Sequence, residues 1–100
     1  MTHRIINAPH PDALQMLQRR MPPHGRAWVQ ANRVDSIGLM QVSVADLFYF
    51  SDLALKAADV FAVEIYGTCP QHVTSLAVLG ETSSVKLAME TIESVQKAAF

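Results

Sequence analysis

The sequence predicts an α/β (α+β) fold, a ferredoxin-like sandwich in which helices pack on an antiparallel sheet. Three observations lead there. Short apolar runs of strand length alternate with segments of helical period. Two of the helical segments, after Ser43 and after Gly80, are long enough to cross between strands. A hairpin is signalled where Val60–Tyr66 and Val73–Leu79 flank the turn Gly67-Thr68-Cys69-Pro70-Gln71-His72. One hundred residues correspond to a single domain, and no internal repeat or low-complexity stretch interrupts it.

Taken in order, His3-Arg4-Ile5-Ile6 reads as a short strand, closed by Asn7-Ala8-Pro9-His10-Pro11. Asp12–Arg20 reads as a helix with Leu14 and Leu17 on one face and two arginines at its negative end. Met21-Pro22-Pro23-His24-Gly25 stops that helix, and Ala27–Arg33 is expected as a strand or an ordered linker. Ile37–Val42 is a mostly apolar run suited to a central strand. Ser43-Val44-Ala45-Asp46 then forms a capping pattern for a helix carrying Leu47, Phe50, Ala54, Ala57 and Phe61 near helical spacing. Phe48-Tyr49-Phe50 reads as core and subunit-interface filling. After the hairpin, Thr82-Ser83-Ser84 is expected to cap a last helix with Val85, Ala88, Met89, Ile92, Val95 and Ala99 inside. Its outer face carries Lys86/Glu90 and Glu93/Lys97 at four-residue spacing.

Half of the residues are apolar and only 17% are charged, a lean share for so small a chain. That balance favours a partner over the apolar surface, most simply another copy. A net charge of −1 argues against nucleic acid, which needs a basic stripe, and Arg19, Arg20, Arg26 and Arg33 read as solvated. No apolar run approaches the ~20 residues of a membrane span. No secretory signal is expected at the start, and one cysteine fits the reducing cytoplasm.

Cys69 is the residue that asks for an explanation. A lone thiol makes no internal disulfide, and one chain cannot wrap a metal with it, so it is either incidental or used with copies of itself. Pro70 stiffens the turn and removes a backbone donor, while Gly67 lets the backbone turn. His72 completes Cys-x-x-His, half of a zinc site, though a hydrogen-bonded surface histidine is the simpler reading. His3, His10 and His24 receive no role. Asp46, Asp52, Asp59 and Glu64 are dispersed, no nucleophile has a neighbouring base, and no glycine loop cradles phosphate, so no enzyme activity is expected.

The stretch from Ser36 to Val95 resembles the bacterial microcompartment shell domain. The residues that carry the resemblance are Ile37-Gly38-Leu39-Met40, then Lys56-Ala57-Ala58-Asp59-Val60, then Gly80-Glu81-Thr82-Ser83-Ser84-Val85. They match, in order, the family's first strand, the end of its first helix and the opening of its second. Two departures are Glu81 in place of the family's aspartate and Gln41-Val42 in place of its "ET". The family's final strand and helix would be supplied from the front, so the resemblance implies a circularly permuted member. Residues 1–100 are then one shell domain, with 1–35 the permuted strand, helix and linker and 36–100 the core.

By that resemblance alone, the chain would be a structural shell protein, a homohexamer tiling with other shell proteins around enzymes in the bacterial cytoplasm. Gly67, Thr68, Pro70, Gln71 and His72 would line its central pore, and Lys56 would lie at the hexamer edge, joining neighbouring hexamers. Gly67-Thr68-Cys69-Pro70-Gln71 further resembles a divergent branch from glycyl-radical propanediol microcompartments, which binds an iron–sulfur cluster at the pore. Cys69 would be the metal ligand. A cluster usually takes about four thiolates, so it would use a subset of a six-fold ring. The alternatives are a hexamer with a passive metabolite pore, a small ferredoxin-like regulatory or ligand-binding oligomer, and a metal-dependent enzyme using Cys69 and His72 at an interface.

Overall fold

The computed structural model describes residues 3–67 and 73–98. Its elements run β1 (His3–Asn7), α1 (Pro11–Gln18), α2 (Pro23–Ala31), β2 (Ser36–Ser43), α3 (Val44–Ala57), β3 (Phe61–Ile65), β4 (Val73–Gly80) and α4 (Thr82–Ala98). The strands form one sheet in the order β1-β2-β4-β3, with every neighbouring pair antiparallel. Reading from β2, the chain is the βαββα run of the ferredoxin-like arrangement, and β1 stands beside β2 as the remaining strand.

The alternation of side chains divides the strands between two cores. On one face Met40, Val42, Leu76 and Val78 meet Leu47, Phe50 and Ala54 of α3 and Val85, Ala88 and Ile92 of α4. On the other face Ile37, Val63, Ile65, Ala77 and Leu79 meet Met21 and Val29, with Leu14 and Leu17 of α1 half-buried above them. Helices therefore cover both faces, and the result is a slab of 38 × 32 × 19 Å.

Gly38 shows why α4 lies so close to the sheet. A Cβ built there would come within 2.5 Å of Met89 Sδ and 2.9 Å of Val78 Cγ2, so the position has no room for a side chain. Ser36, fully buried, ties three elements together at the same end. Its hydroxyl donates to Asn7 Oδ1 at 2.8 Å and shares a second 2.8 Å bond with Thr82 Oγ1. These two bonds satisfy a polar group that burial would otherwise penalise.

Ser43 caps α3 as expected, its Oγ accepting from the Asp46 backbone N–H at 3.1 Å. Three expectations are corrected. The segment 27–33 is no strand, because helix α2 runs over Pro23–Ala31. Pro22-Pro23 ends α1's corner and also starts α2, since proline's fixed φ suits the first helical position. Phe61 does not continue α3, which stops at Ala57; it belongs to β3 and faces α2. There it stacks on Trp28, ring centroids 4.6 Å apart and 5° from parallel, with His24 edge-on at 6.1 Å. Finally, α4 begins at Thr82 itself, so Thr82-Ser83-Ser84 form its first turn rather than a cap before it; Val85 N–H already donates to the Glu81 carbonyl, and the Thr82 hydroxyl bonds to Ser36. Glu93 and Lys97 do pair across one helical turn, at 3.3 Å. No described helix is long and apolar enough to cross a membrane.

Candidate functional site

The candidate site is the connection between β3 and β4. The two strands are held in register by Ile65 opposite Ser75 and Glu64 opposite Leu76. Beside that pairing, Thr74 Oγ1 donates to Glu64 Oε2 at 2.8 Å. Past the last ladder residue, Tyr66 is gripped from the other side of the fold. Its N–H donates to the Arg20 carbonyl at 2.7 Å, and Arg20 Nη1 donates back to the Tyr66 carbonyl at 3.4 Å. Arg26 Nη1 secures the same corner by donating to the Met21 carbonyl at 2.7 Å. Met21 itself is only 1% exposed. The stem is thus fixed on both sides, by the sheet and by the corner between α1 and α2.

Gly67 is the last described residue of the stem and is exposed; Val73 opens β4 on the other side, also exposed. Thr68, Cys69, Pro70, Gln71 and His72 lie outside the described residues. Among the described residues no group of three His, Cys, Asp or Glu side chains is placed to hold a metal ion.

Lys56 pairs along its own helix. It sits in the last turn of α3, exposed, with Nζ 2.8 Å from Asp52 Oδ2 one turn back. The hydrogen bond to Asp52, and then its charge, hold the lysine pKa above its ordinary 10.5. The aromatic triplet on the same helix splits in two. Phe50 is core, whereas Phe48 is 69% exposed and Tyr49 is exposed beside it. Of the departures noted in the sequence, Val42 is buried in the α3/α4 core and Gln41 is exposed. The valine therefore has a packing reason to be there.

Sequence reasoning misses Arg20. In the sequence it reads as a solvated helix end, because nothing local connects it to Tyr66, forty-six positions away. His10 has no role in the sequence either, yet its Nδ1 accepts from the Asp12 N–H at 3.1 Å and so caps α1.

Known proteins resemble this chain in both sequence and structure. The BMC domain family matches residues 36–99. The search of curated proteins finds no match. Among solved structures, the ligand-free GrpU microcompartment shell protein from Pectobacterium wasabiae is 42% identical, with a TM-score of 0.77 over 92% of this chain and 99% of that one. The ligand-free GrpU microcompartment shell protein from Clostridiales bacterium 1_7_47FAA is 28% identical, with a TM-score of 0.71 over 97% of this chain and 93% of that one. The fused permuted hexameric shell protein MSM0275 from the RMM microcompartment is 18% identical, with a TM-score of 0.58 over 96% of this chain and 45% of its own. At that identity the last likeness is one of fold alone.

Proposed function

We propose, from the premise that this chain belongs to the BMC-domain family of microcompartment shell proteins, that it works as a homohexamer gathering six copies of Cys69 around a central pore. The family places the chain in the shell of a microcompartment in the bacterial cytoplasm. Its relatives there are structural proteins, which accords with a non-enzymatic role. In the ring, Gly67, Thr68, Pro70, Gln71 and His72 line the pore, and Lys56 at the outer end of α3 joins neighbouring hexamers into a sheet with other shell proteins. β1 takes the place of the family's last strand, as in a circular permutation, and the strand order β1-β2-β4-β3 supports that reading.

The observation that carries the proposal is a single thiol in the chain, set between two paired strands whose stem is fixed from both sides. An iron–sulfur cluster, when bound, supplies one-electron redox chemistry and asks for about four thiolates. One chain has one, so the donor set fits the group only when copies meet. Six thiols at one axis exceed what one cluster uses, and the cluster therefore breaks the symmetry of the ring that holds it. The exposed stem residues Tyr66 and Val73 are large and hydrophobic, as suits surfaces that pack against copies.

Anaerobic purification, or reconstitution with iron and sulfide, tests this. Wild-type protein is expected to be brown, with broad visible absorbance and bound iron and sulfide. Cys69→Ser should lose all three while keeping the same sedimentation coefficient. Colourless wild-type hexamer after reconstitution would leave a passive metabolite pore as the function.

A further inference from the structure

We propose that Arg20 is a positioning residue for Cys69: its guanidinium stands in for a missing strand partner and fixes the end of β3 from which the Cys69 segment departs. What that segment carries rests on the function proposed above. The clamp itself is measurable without any cluster.

The two strands that flank the segment are held differently. β4 is paired by β2 as far as Val73, which stands opposite Ser43. The ladder of β3 with β4 ends at Ile65, opposite Ser75. Tyr66 is the first residue beyond that ladder, and both polar groups of its backbone go to one residue. Its N–H donates to the Arg20 carbonyl at 2.7 Å, and its carbonyl accepts from Arg20 Nη1 at 3.4 Å. A neighbouring strand would offer the same pairing of one acceptor and one donor.

The residue type matters at position 20. The Arg20 backbone N–H is already committed, donating to the Leu17 carbonyl at 3.0 Å, so the main chain has only an acceptor left for Tyr66. The guanidinium supplies the missing donor and brings a full charge to it. Alanine would keep the 2.7 Å bond and lose the return bond, whereas lysine would keep a charged donor.

The corner behind Arg20 holds without this side chain. The Met21 N–H donates to the Gln18 carbonyl at 3.1 Å, and the Met21 carbonyl accepts from Arg26 Nη1 at 2.7 Å. Gly25 lies so near β3 that a Cβ there would stand 2.9 Å from Val63 Cγ2. Truncating Arg20 therefore loosens the end of β3 and leaves the corner in place.

Positioning weighs more in a shared site than in one built by a single chain. When a chain holds its ligand in the competent arrangement for only a fraction of the time, affinity falls by that fraction. A cluster held by about four thiolates from separate chains multiplies the effect, so halving the fraction weakens binding about 16-fold.

Arg20→Ala and Arg20→Lys test this, with the exposed neighbour Arg19→Ala as control. Arg20 is exposed, so all three are expected to sediment as wild type and melt within about 3 °C of it. In the cluster-free protein, hydrogen exchange at the Tyr66 amide should be about five-fold faster in Arg20→Ala and near wild type in the other two. After anaerobic reconstitution, Arg20→Ala should hold iron against a chelator on the order of tenfold more weakly, with Arg20→Lys restoring most of the loss. Unchanged Tyr66 exchange in Arg20→Ala would overturn the proposal, as would faster exchange with an unchanged hold on iron. A midpoint that falls with the exchange would make Arg20 a stability residue and overturn it too. Wild type that takes up no iron would overturn the cluster, and Tyr66 exchange would then decide for or against the clamp.

Discussion

The two helical layers of this molecule differ in how completely each belongs to the fold. α3 and α4, fourteen and seventeen residues long, bring Ala54, Val85, Ala88 and Ile92 to near-zero exposure against the sheet. α1 and α2, eight and nine residues long, bury only Gly25 and Val29 between them. The family match, residues 36–99, takes in the dense layer and stops short of the loose one. The dense layer seals its face of the sheet; the loose layer braces the stem at Tyr66 through Arg20 and leaves a groove open.

That contrast is broken most directly in the dense layer. Ile92→Ala is expected to cost about 2–5 kcal/mol, lowering the thermal midpoint by more than ten degrees, because a fully buried site leaves a cavity. Gly38→Ala should cost about 1–3 kcal/mol, since Met89 must move aside from the new methyl group. Leu17→Ala, half-buried in α1, should cost less than about 1 kcal/mol by chemical denaturation. An equal loss at Leu17 and Ile92 would erase the distinction between the layers. The smallest effect on stability belongs to Lys56→Ala, which should leave the midpoint unchanged and abolish ordered sheets in electron micrographs. The pH dependence has a definite sign. A lysine pKa raised by Asp52 keeps the ammonium charged at neutral pH, and on the alkaline side its contribution is lost as pH climbs through that raised value. Loss of the lysine charge, and any effect of it on sheet formation, is therefore expected only above about pH 10.5.

How far the sequence discloses this depends on how local each signal is. The cap at Ser43, the strand Ile37–Val42 and the inner face of α4 rest on neighbours within a few positions, and they are legible. Phe61 reads as part of α3 because Ala54, Ala57 and Phe61 keep helical spacing; what holds it in β3 is Trp28, far away in sequence. The Pro22-Pro23 pair reads equally well as a stop or a start, so α2 is hidden. Ser36 looks like an ordinary polar residue until Asn7 and Thr82 converge on it. Of the candidate site, the two flanking strands are legible in the sequence, whereas Cys69 and Pro70 lie outside the described residues; the brace is not legible, since Arg20 reaches Tyr66 only in the folded chain.

The central claim is a site made by copies, and native mass spectrometry of anaerobically reconstituted protein weighs it directly. The account predicts six chains carrying one iron–sulfur cluster, reduced to six bare chains by Cys69→Ser. One cluster on each chain, or a cluster retained by the serine variant, would contradict it.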